Sequence, residues 1–63
     1  MSEQDTALRV LDEAKRTLEA TLVGIETLRD QQPPGEGKEY LRGAAMGARQ
    51  AIDTLVELRR EYE

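Results

Sequence analysis

Acid–base or metal chemistry in this sequence would have to come from carboxylates, because it contains neither histidine nor cysteine. Helical bundles bind paired metals with glutamates and Glu-x-x-His motifs on facing helices, and the histidines of that pattern are missing. Glu3, Asp12, Glu13, Glu19, Glu26, Asp53 and Glu57 fall mainly on polar arcs. Asp12 with Arg16, Arg9 with Glu13 and Lys15 with Glu19 have the i,i+4 spacing of surface ion pairs, each worth about 0.2–0.5 kcal/mol. Nucleophilic and general acid–base catalysis need activated groups gathered in a sheltered cleft. The lysines, Ser2, the threonines, Tyr40 and Tyr62 do not cluster by spacing. No catalytic, metal-binding or cofactor-binding constellation follows, and we expect a protein that is not an enzyme and uses no cofactor.

Three charged patterns remain. "GEGK", residues 35–38, has the glycines and lysine of a phosphate-binding loop, but no strand precedes it, Glu39 stands where a magnesium-holding Ser or Thr belongs, and Glu36 repels phosphate. It reads as a turn with solubilising charges. Arg42, Met46, Arg49, Asp53, Val56 and Arg60 form a row on the outer side of a helix; three arginines with two apolar residues make Arg42, Met46, Arg49, Val56 and Arg60 the candidate face for an external partner. Lys15 and Arg59 fall inside apolar arcs. Arg59 is expected near Leu8 and Asp12, its stem packed and its guanidinium reaching an acidic group.

These side chains must be positioned by helices, because the composition leans to Ala, Leu, Glu and Arg, the strongest helix formers. "DQQPPGEGK", residues 30–38, is the one clear interruption; residues before proline are pushed from α geometry. We expect a single domain over 1–63, with a helix over about 3–31, a loop over about 32–36 and a second helix over about 37–62. Ser2 can cap the first helix in a Ser-x-x-Asp arrangement with Asp5. Helices of roughly 25 to 28 residues, about 40 Å long, joined by so short a loop must lie antiparallel. No internal repeat or low-complexity tract is present.

Leu8, Leu11, Leu18, Leu22 and Ile25 follow 3- and 4-residue steps interrupted at Lys15, and Ala7, Ala14, Thr21 and Leu28 form a row seven apart beside them. On the second helix Leu41, Ala44, Ala45, Ala48, Ala51, Ile52, Leu55, Leu58 and Tyr62 cover a similarly wide arc. Arcs of about 160° exceed the single seam that one hairpin can cover. The expected architecture is an all-α antiparallel hairpin that dimerises into a four-helix bundle, with a tetramer as the next size. "GAAMGARQA", residues 43–51, places two glycines four apart within helix, each costing about 1 kcal/mol relative to alanine. Close approach of a neighbouring helix would repay that cost. The candidate oligomer interface is Leu8, Leu11, Leu18, Leu22, Ile25, Gly43, Gly47, Ala48, Ala51, Leu55 and Leu58.

Net charge is −4, from 13 acidic and 9 basic residues, which argues against broad attraction to nucleic acid or anionic lipid. With two tyrosines and no Phe or Trp, platforms for stacking on bases are nearly absent. Disulfides and Cys/His-ligated zinc are excluded. No run approaches the length of a membrane span, the N-terminus is not signal-like, and a cytoplasmic location without membrane association is expected. The length and inferred hairpin-dimer plan resemble Rop-type plasmid RNA-binding proteins, a likeness of architecture in which no residues align. The expected role is a small non-catalytic structural or protein-interaction module that self-associates through its helices. The alternative is a small nucleic-acid-binding regulator using the arginine face.

Overall fold

The computed structural model describes residues 2–63. Helix α1 spans Glu3–Gln31 and helix α2 spans Glu36–Glu61, packed against each other as a hairpin. The ends are set by local chemistry. Ser2 is extended, and its Oγ accepts from the Asp5 N–H at 3.1 Å, satisfying one of the orphan donors of the first turn. Glu3 and Asp5 add negative charge there, where the helix dipole favours it. At the other end Gln32 is extended (ψ 142°) ahead of Pro33, as the proline ring requires. The chain re-enters helix through Gly35 at φ 153°, a conformation that side-chain-bearing residues rarely adopt; its carbonyl accepts the Glu39 N–H at 3.1 Å.

Packing follows an unbroken alternation of 3- and 4-residue steps on both helices. On α1 the inner positions are 8, 11, 15, 18, 22, 25 and 29; on α2 they are 38, 41, 45, 48, 52, 55 and 59, and every one is buried or half-buried. A mean step of 3.5 residues keeps one seam facing the partner helix over the whole length, the pattern of a left-handed coiled coil. Leucines and Ile25 dominate the α1 side, while α2 contributes Ala45 and Ala48 at its middle. Small residues on one helix leave room for large ones on the other. Four seam positions are cationic: Lys15, Arg29, Lys38 and Arg59. Their stems can line the seam while their charged ends reach water.

This seam is a thin core. Among the described residues only Ala45 (2% exposed) and Ala48 (9%) are buried, and no large side chain is. The Cα trace measures 49 × 15 × 10 Å, the shape of a single layer of helix rather than the two packed layers of ordinary domains. No helix is long and apolar enough to cross a membrane.

Candidate functional site

The two long edges of the hairpin differ in chemistry. One edge is charged. Asp5, Asp12, Glu19 and Glu26 recur every seven residues beside the α1 seam, and Arg42, Arg49 and Val56 occupy the corresponding row of α2. Arg49 crosses the seam to donate to Glu26. Arg59 donates through Nε to Asp12 Oδ1 at 2.8 Å and through Nη1 to Glu63, so one guanidinium serves a carboxylate on α1 and one just beyond the end of α2. At the open end the Gln4 amide donates to the Tyr62 carbonyl. Arg29 is tied to Asp30 at 3.2 Å, and Arg42 to Glu39 at 3.0 Å.

Of the carboxylates expected to pair along α1, Asp12 meets Arg59 of α2 rather than Arg16; Asp12 flanks the α1 seam and Arg59 stands on the α2 seam facing it. The guanidinium of Arg59 holds the Asp12 carboxyl below its usual range, chiefly through the hydrogen bond; partial desolvation opposes this, and the charges of Arg59, Arg16 and Lys15 reinforce it. Arg59 is correspondingly raised, first by that hydrogen bond and then by the Asp12 charge. A carboxyl with a lowered folded-state pKa stabilises the fold above its unfolded pKa of about 3.9, and that contribution is lost as pH falls through the folded value. Asp12→Asn should therefore lower the urea midpoint at neutral pH, with the difference from the parent protein shrinking as the pH is taken down through the folded-state pKa of Asp12. A difference that stays constant with pH would mean that Asp12 acts through packing rather than charge.

The arginine row does not form one outward face. Arg42, Met46, Arg49 and Arg60 are exposed, but Arg49 reaches back across the seam to Glu26 and Val56 is half-buried beside the seam. Two of the three arginines thus already hold carboxylates. Lys38 of "GEGK" lies half-buried on the seam. The recess at the open end is lined by Glu3, Gln4, Ala7, Glu61, Tyr62 and Glu63, and no metal-holding group of carboxylates occurs among the described residues.

Of the candidate interface residues, Leu8, Leu11, Leu18, Leu22, Ile25, Ala48 and Leu55 sit on the seam inside the hairpin. Ala51 and Leu58 lie on its other edge, where Leu58 is exposed. Gly43 and Gly47 face open space: a Cβ built on either meets nothing within 4 Å. The glycines are therefore not a contact between α1 and α2.

That second edge holds a pattern which sequence reading took only in part. Because Glu26 and Arg49 meet on the first edge, the rows on the far side of both seams share the opposite one. On α1 that side presents Ala7, Val10, Ala14, Thr17, Thr21, Gly24 and Leu28; on α2 it presents Gly37, Tyr40, Ala44, Gly47, Ala51, Thr54 and Leu58. Both runs alternate 3- and 4-residue steps, and neither contains a charge in a chain that is 35% charged. The signal available in the sequence was this second charge-free alternation, offset from the first. The threonine hydroxyls are already satisfied: Thr17, Thr21 and Thr54 each donate to the carbonyl four residues back, at 3.1, 2.9 and 3.0 Å. Such back-bonding turns the hydroxyl into its own helix. Val10, Leu28 and Tyr40 on this side are at least half exposed.

No protein-family model, curated protein or solved structure matches this chain.

Proposed function

We propose that this chain is a self-associating helical hairpin, a small non-catalytic structural or protein-interaction module whose working form is a homodimeric four-helix bundle. The observation that carries this reading is the thin core: the hairpin buries Ala45 and Ala48 and no larger side chain. Chains of this size bury too little apolar surface to be comfortably stable alone and need disulfides, a metal or self-association. Cysteine and histidine are absent, which leaves self-association. Docking two single-layer hairpins makes the two-layer arrangement from which stable domains are built.

Light scattering coupled to size exclusion, over a micromolar dilution series, should give a mass of about twice 7.1 kDa, and the melting temperature should rise with protein concentration. A mass of four chains would keep the reading and enlarge the assembly. A folded monomer with a concentration-independent melt would overturn it.

A further inference from the structure

We propose that the uncharged edge is the surface on which a second copy of this chain docks, face to face about a two-fold axis. The inference rests on the self-association proposed above and adds which face is used and why it accepts a copy of itself.

A compact dimer of this hairpin would bury an ordinary obligate-interface area. A compact protein of this mass exposes about 4,100 Å², whereas the hairpin exposes 4735 Å². A compact particle of twice the mass exposes about 6,800 Å². Reaching that from two hairpins removes about 2,700 Å² from water, within the span of obligate homodimers, about 2,000 to 5,000 Å².

The chemistry is self-complementary. A two-fold interface sets one surface against itself, so any charge on it meets a like charge or must find a partner of opposite sign. Covering the charged edge would take the Asp12–Arg59 and Glu26–Arg49 pairs and the carboxylates of Asp5 and Glu19 out of water, a desolvation cost that the pairs' attraction need not repay. The other edge has no charge to place, and covering its threonines strands no hydroxyl, since each keeps its bond within its own helix. Size runs the same way. Val10 and Leu58 lie toward the open end and Leu28 and Tyr40 toward the loop; Ala7 and Gly37 end the rows, and alanines, glycines and threonines alone occupy the middle. Helices that cross at about 20° are closest at the crossing point and diverge toward their ends. A two-fold through the middle therefore brings small residues together where the backbones are nearest and leaves the larger ones where the gap widens.

The test compares two double variants that add the same charge to opposite sides of the hairpin. Thr21→Glu with Thr54→Glu changes exposed residues on the uncharged side; Val23→Glu with Met46→Glu changes exposed residues on the outer side. Association, followed by sedimentation over a dilution series, should be weakened about 100-fold or more in the first, because like charges are forced together across a covered face, and by less than about threefold in the second. Equal weakening, or weakening only in the second, overturns the assignment of the face while leaving self-association intact. A monomeric parent protein removes both. If the first variant fails to fold, nitroxide labels decide the matter: a label on Thr21→Cys should couple between chains, and one on Val23→Cys should report a markedly longer interchain distance. The reverse order overturns the proposal.

Discussion

Ala45→Leu should destabilise the protein by about 1–3 kcal/mol, the usual cost of forcing extra carbons into a packed site. Ala45 is the most buried residue described, at 2% exposed, and its methyl points into the seam where α1 presents Leu22 and Ile25. The hairpin has no slack with which to absorb the larger side chain, because its seam is one residue wide on each helix. Either the helices separate, which uncovers Leu18 and Leu22, or the new leucine takes a strained rotamer. At about 4–8 °C per kcal/mol for a domain of this size, the melting temperature should drop by roughly 5–20 °C. Ala20→Leu is the matching control: Ala20 is exposed on α1, and the same substitution there should stay within about 0.5 kcal/mol. Thermal melts of the two variants at one protein concentration decide the matter. A gain in stability from Ala45→Leu would mean an unfilled seam, with the α1 leucines meeting α2 at another level.

What was legible in the sequence was what neighbours along the chain decide. Ser2 and Asp5 mark the start of α1, and Pro33 dictates the extended Gln32 that ends it; these are contacts of a few residues. The apolar rows were legible because helical periodicity is itself local, and Arg59 could be placed near Asp12 once the loop length made the helices antiparallel. The partners of most charges were not legible. Arg9, Glu13, Lys15 and Glu19 offered good spacing within α1, yet Asp12 and Glu26 find arginines on α2, and that choice depends on register and on which edge each residue flanks. The same limit applied to the arginine row. Its spacing on α2 is regular, but its seven-residue step carries Arg49 and Val56 to the seam edge while Met46 and Arg60 stay outside. The glycines show the limit most clearly. Their spacing pointed to close packing and to an interface between chains, and the hairpin adds that α1 leaves both glycines facing open space.

Gly47→Leu and Gly43→Leu should therefore act in opposite directions, although the two glycines are four residues apart on one helix and both face open space in the single chain. In an isolated hairpin each substitution would stabilise α2 by about 0.5–1 kcal/mol, because glycine is the poorer helix former and no atom obstructs the new side chain. Gly47 belongs to the uncharged row with Tyr40 and Thr54, near the middle of the helix where small residues gather. Gly43 lies outside that row, in line with Gln50 and Glu57. If a second hairpin lies across the middle of the uncharged edge, four additional carbons at Gly47 hold the two layers apart, and the area lost from the interface outweighs the gain in helix propensity. The expected result is a Gly43→Leu protein that melts a few degrees higher with its mass unchanged, and a Gly47→Leu protein that dissociates on dilution where the parent does not. Should Gly47→Leu also melt higher and keep its mass, the glycine would face solvent in the assembled protein as it does in the single chain. Self-association would then have to use a surface that leaves the middle of α2 uncovered.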